Sequence, residues 1–124
     1  DIVHIFACGH VPPYTTGAHG VADHDEWQPV RDHLVPLFEQ YGVDAVFMGH
    51  HHSYERIQVN GITYIVTAGG GASLYELEQP EPGSQAAASV HHFTLIEVQA
   101  ERLYGQAIDR RGRVIDSFEL RAKE

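Results

Sequence analysis

The apolar run Ala45-Val46-Phe47-Met48, preceded by Asp44, passes directly into Gly49-His50-His51-His52-Ser53-Tyr54-Glu55-Arg56. No other junction constrains the chain as tightly. A short apolar run of this kind reads as a buried strand. Glycine then permits a sharp turn, after which alternate side chains point the same way, so His50 and His52 are expected on one side and His51 on the other. Neutral imidazole is the commonest protein ligand for zinc and similar ions, which makes the cluster a candidate metal site. For a His-x-His motif in isolation, a surface cluster with no metal is an equally good account.

Two further apolar runs end in the same manner. Ile5-Phe6-Ala7-Cys8 leads into Gly9-His10-Val11-Pro12-Pro13-Tyr14, and Tyr64-Ile65-Val66-Thr67-Ala68 leads into Gly69-Gly70-Gly71. Strands that all end in polar or glycine-rich loops suit an open sheet with its site at the carboxyl ends. Between the first two runs, Trp27, Val30, Leu34, Leu37, Phe38 and Tyr41 recur at three- and four-residue steps. That spacing predicts a helix over 25–40, with Asp23 as its cap, Gly42 as its stop and a kink at Pro36. Asn60-Gly61 between apolar runs predicts a hairpin of 54–59 and 62–67. Residues 76–89, with two prolines and three consecutive alanines, read as a mobile loop. Final strands are expected over 90–99, 102–109 and 114–120, the last pair turning at Arg110-Arg111-Gly112. The class is α/β with a mixed sheet: an α/β front and a β-rich back.

Taken together, the strand ending in His10 with Pro12-Pro13-Tyr14, the Gly-His-x-His element with Tyr54-Glu55-Arg56, and the strand and glycine loop of 64–71 resemble a known family. They are similar to the C-terminal half of a calcineurin-like metallophosphoesterase of the purple acid phosphatase branch. The likeness extends to the terminal strands around 93–97 and 114–120 and so covers nearly the whole chain. It implies the C-terminal half of a four-layer α/β/β/α sandwich. It further implies that His10 and His50 bind one metal of a two-metal centre and His52 the other, the ions being iron, zinc or manganese. His51 takes the variable position. Tyr54, Glu55 and Arg56 are expected to support the loop rather than to do chemistry, an arginine held by a carboxylate or carbonyls being a familiar device around metal ligands. A phosphate ester is the implied substrate. His19 and Tyr14 are its candidate contacts, with a solvated loop histidine and a packing tyrosine as the respective alternatives.

The departures matter as much as the matches. The family's Asp-x-His, Gly-Asp and Gly-Asn-His elements are absent, and Asn60 is the only asparagine. No catalytic residue is therefore assigned within this chain. It is expected to be one partial domain over 1–124, inactive alone and completed by the missing N-terminal half or by a second chain. A non-catalytic metal- or partner-binding module is the alternative, and an open sheet edge would favour pairing or self-association.

Lysine plus arginine number 8 against 17 acidic residues, a formal charge of −9. That balance disfavours nucleic acid as a partner, because phosphate backbones bind basic faces. Small phosphate esters remain compatible, since bound metals would supply positive charge locally. No segment is long and apolar enough to span a membrane, and a secreted or periplasmic location is expected only if the whole protein carries a signal. Cys8, the only cysteine, excludes an internal disulfide and is expected to be a small core residue rather than a nucleophile. His4 is expected in the core and His33 on the surface. Of His91 and His92, one is expected to face water and the other to pack. His24 shares the loop of His19 as a weaker substrate candidate.

Overall fold

A computed structural model describes residues 1–17 and 24–123. Strand β1 (Phe6–Cys8) leads to a helical arm, then to β2 (Ala45–Met48), β3 (Tyr54–Val59), β4 (Ile62–Thr67) and β5 (Ser84–Ala88). These five strands form one mixed sheet in the order β1-β2-β4-β3-β5. β1, β2 and β4 run parallel, while β3 is antiparallel to both β4 and β5. The remaining strands, β6 (His92–Val98), β7 (Arg102–Asp109) and β8 (Val114–Arg121), form an antiparallel sheet. The mixed α/β class expected from the sequence is borne out.

The helical arm consists of α1 (His24–Pro29), a π-helical turn (Val30–Leu34) and α2 (Val35–Gln40). The irregularity predicted at Pro36 is thus a change of helical type just before it. Proline lacks the N–H that a regular ladder would use, and a wider turn absorbs the mismatch. Gly42 ends the arm as predicted. Its φ is +66°, and the Val43 N–H reaches back to the Phe38 carbonyl at 3.0 Å, the pattern of a glycine-terminated helix. Asp23 and His19 lie outside the described residues.

The central strands of the five-stranded sheet are covered on both faces. On one side Val46, Met48, Ile57 and Tyr64 pack with Val35 and Val43, and Val30 and Phe38 of the arm close over them. On the other, Tyr54 and Ile65 meet Ala107, with Ile115 and Phe118 of the second sheet alongside. Helix, sheet and sheet make three layers among the described residues. Period-two alternation accounts for the division, because Tyr54 and Arg56 point toward the second sheet while Glu55 and Ile57 point toward the helical side.

Two sequence expectations need correction. Residues 84–88 are not loop: they pair with β3 as β5. Alanine and serine carry little strand preference, and the available edge of β3 overrides it. Cys8 is exposed rather than buried, because β1 is the edge strand and no described residue covers that face. Regular strand pairing there is also limited to Phe6–Cys8, shorter than the apolar run suggests. His33 is exposed and His92 buried, with His91 intermediate, as expected. His4 stacks on Phe6, and its Nε2 lies 3.0 Å from the Gln99 carbonyl.

Candidate metal centre

β1 and β2 are parallel neighbours, so their carboxyl ends emerge side by side. Gly9 donates its N–H to the Phe47 carbonyl and Gly49 to the His10 carbonyl, each at 3.0 Å, which carries the pairing one step past the strands. His10 and His50 consequently meet. Their Nε2 and Nδ1 atoms are 3.2 Å apart, with ring centroids 5.0 Å apart and planes at 74°. His50 is in the left-handed region, at φ +67°. Only a few per cent of non-glycine residues occupy it, histidine more readily than most. The other His50 nitrogen, Nε2, lies 3.2 Å from Oε2 of Glu26 on α1.

His52 is held separately. Its Nδ1 is 2.8 Å from the Ser73 carbonyl, its ring stacks on Tyr75 with centroids 4.2 Å apart, and its carbonyl accepts the Tyr75 N–H at 2.9 Å. A carbonyl can only accept, so Nδ1 carries the hydrogen and Nε2 keeps its lone pair. Among the described residues no group of three or more histidine, cysteine or acidic side chains converges around one point. The sequence-predicted ligands therefore divide into the His10–His50 pair and a preoriented His52. His51 points inward, as the alternation required, and is fully buried. Its Nδ1 meets the Ser53 hydroxyl at 2.8 Å. Gly17 lies directly against it: a Cβ there would fall 1.6 Å from Nε2.

The residues expected to support the loop bind two different layers. Glu55, fully buried, accepts the Thr16 N–H at 2.7 Å, the Thr16 hydroxyl and the Ser84 hydroxyl. This ties the loop after His10 to β3 and β5. Tyr54 and Arg56 instead reach Asp116 on β8: the phenol donates at 2.5 Å, and the guanidinium donates through Nε and Nη2 at 2.8 and 3.1 Å. Burial, together with the Asp116 hydrogen bond, pushes the Tyr54 hydroxyl far above its ordinary value. Tyr14 packs edge-on to Tyr64, with Arg31 over its ring, and burial raises its pKa despite the nearby guanidinium.

In the glycine loop, Gly69 differs from its neighbours. A Cβ there would lie 2.5 Å from His92 Nδ1 and 2.6 Å from the Val90 carbonyl oxygen, whereas Gly70 and Gly71 face open space. His92 donates from Nδ1 to the Val90 carbonyl and accepts the Thr67 hydroxyl hydrogen at Nε2, each at 2.9 Å. Burial lowers its pKa against the raising effect of the Val90 bond. Glu26, Ser73, Tyr75, Gly17 and Asp116 carry no motif that marks them in the sequence; only the fold brings them to these positions.

Fold and site together define a class, a mixed α/β unit with imidazoles at the ends of its parallel strands. The particular relatives agree. The chain is 36% identical over 70 residues to purple acid phosphatase 7 of Arabidopsis thaliana, a stretch covering 56% of this chain and 20% of that protein. Its fold matches GAP50, the anchor in the inner membrane complex of Plasmodium, with a TM-score of 0.85 at 21% identity, over 98% of this chain and 37% of that one. A Vps29 single mutant from Entamoeba histolytica overlaps at a TM-score of 0.41 and 24% identity, over 75% of this chain and 47% of that one, too loosely to bear on the fold. No protein-family model matches the sequence. The chain is thus a partial metallophosphoesterase-like unit, homologous in part to purple acid phosphatase 7, and it spans well under half the length of either relative that informs the fold. No helix among the described residues is long and apolar enough to cross a membrane.

Proposed function

We propose that this chain supplies histidine ligands to a dinuclear metal-dependent phosphoester hydrolase and is inactive by itself. One observation carries the proposal: His10 Nε2 and His50 Nδ1 face each other at 3.2 Å. Two imidazole nitrogens each about 2.0–2.1 Å from a zinc ion in tetrahedral or octahedral geometry are held roughly 2.9–3.4 Å apart. The pair therefore fits a shared ion, which would take the place of the hydrogen bond between the rings. His52, with its Nδ1 hydrogen committed to Ser73, presents Nε2 to a second ion. Bound metals would polarise the phosphate and acidify a water. The chain's own residues orient the ligands: Glu55 holds the loop after His10, and the Ser73–Tyr75 segment holds His52. Imidazoles suit zinc or iron, and oxygen ligands from elsewhere would decide for or against manganese. Purple acid phosphatase 7 carries phosphatase in its name, which supports a phosphate ester as the substrate of the completed enzyme.

Zinc titration of the 124-residue chain by calorimetry tests this. Binding is expected, with at least ~10-fold loss in His10→Ala and in His50→Ala, the scale of removing a metal-site partner. An affinity unchanged in both variants would remove the metal proposal. Hydrolysis of an aryl phosphate by the purified chain, abolished by His50→Ala, would instead overturn its inactivity.

A partner of another kind, a further strand, is supported by the edge of β1 that no described strand pairs with. Ile2, Val3, Ile5 and Phe6 there are 84%, 46%, 37% and 40% exposed. Such an edge pairs readily with another segment, whether from a longer polypeptide or a second copy. Concentration-dependent association in size-exclusion chromatography, reduced by Ile5→Lys, is expected for the second copy; a monomer at every concentration leaves only the longer polypeptide.

A further inference from the structure

The geometry points to Glu26 as a positioning residue for His50, a role that rests on the proposal that His50 is a metal ligand. Three groups lie in series: Glu26 Oε2 is 3.2 Å from His50 Nε2, and His50 Nδ1 is 3.2 Å from His10 Nε2. A carboxylate can only accept, so its closeness to Nε2 favours the tautomer with the hydrogen there and the Nδ1 lone pair facing His10. Such a contact restricts the ring. Rotation about the last side-chain bond of histidine is broad and roughly two-fold, and a half-turn would replace Nδ1 with a carbon facing His10. His52 is oriented in the same way by a neutral carbonyl, that of Ser73.

Glu26 is not placed by chance contact of a loose helix. Its neighbour Trp27 lies under the Arg31 guanidinium, 4.1 Å from Cζ to ring centroid. Arg31 also covers Tyr14 and donates from Nε to the Pro13 carbonyl. The arm is thereby fastened to the segment that follows His10. Asp25, one residue earlier, has an exposed side chain whose Oδ1 lies 3.5 Å from His24 Nδ1.

Two measurements on the intact chain test the assignment. Long-range proton–nitrogen NMR of the metal-free protein reads the His50 tautomer. The wild type is expected to be in the Nε2–H form and Glu26→Ala a mixture, with His52 unchanged in its Nδ1–H form in both. Cobalt and zinc titrations are then expected to show 10–100-fold weaker binding in Glu26→Ala, the usual range for losing such a partner. Glu26→Gln, whose amide oxygen still accepts, is expected to stay within a few-fold of wild type, and Asp25→Ala to match it. If His50→Ala loses metal while Glu26→Ala binds as wild type with its tautomer unchanged, the role of Glu26 is overturned and the metal proposal stands. If the wild type binds neither ion, the metal proposal falls, and the tautomer of Glu26→Ala alone decides whether Glu26 orients His50.

Discussion

Asp116→Ala is expected to destabilise the chain by about 2–4 kcal/mol, somewhat below the range for breaking a fully buried pair. The carboxylate receives the Tyr54 phenol and both arms of the Arg56 fork. The side chains of Arg56 and Asp116 are only 15% and 9% exposed, so alanine would strand a guanidinium between the sheets. Desolvation raises the Asp116 pKa, but the hydrogen bonds from Arg56 and Tyr54 outweigh it and hold it below the usual carboxylate value. The sign of the pH effect follows from that. A depressed carboxyl contributes stability that is complete above its unfolded pKa of about 3.9 and is lost as pH falls through the folded value. Urea melts of wild type and Asp116→Asn should therefore differ most above about pH 4 and converge in stronger acid. A gap that stayed constant down to about pH 2 would deny the ionised carboxylate its role.

Glu55→Ala is expected to cost about 3–4 kcal/mol, because it leaves buried donors without an acceptor. Those donors are the Thr16 N–H and the hydroxyls of Thr16 and Ser84. The loss is not confined to stability. Thr16 also accepts the Glu81 N–H through its hydroxyl oxygen at 2.8 Å, so one carboxylate fixes both the loop after His10 and the approach to β5. Amide hydrogen exchange should accelerate at Thr16 and Glu81 well beyond the global change. Glu55→Gln keeps an acceptor for the Thr16 N–H but turns an amide donor toward the two hydroxyls, and should fall between wild type and alanine. A Glu55→Ala variant within about 0.5 kcal/mol of wild type would mean that surface-like energetics govern the site.

Much of the frame is readable from neighbours along the chain. Asn60 and Gly61 both adopt positive φ, +50° and +78°, and the strands they join run over the predicted residues. The helical arm follows from the apolar spacing, and Gly42 from its left-handed requirement. β5 was not readable. Its Ser-Gln-Ala-Ala-Ala sequence has weak strand preference, and it exists because β3 offers an edge. Cys8 looked interior because its neighbours are apolar, yet whether a strand lies at an edge is a property of the sheet.

The site divides along the same line. Local chemistry identified the histidines and their facing, since a strand that ends in glycine sets alternation whatever surrounds it. The family resemblance, rather than local chemistry, marked Glu55 and Arg56 as supports. Their partners depended on the assembled sheets. Asp116 stands 60 positions from Arg56 beside a bulge at which Ala107 pairs with Asp116 and Ile108 with Val114, and such irregularities redirect side chains. Short-range pattern thus decides which groups a segment can present. Which groups meet, His10 with His50 and Glu26 behind them, is decided by strand order and helix placement, because charge and hydrogen-bond partners act through space and not along the chain.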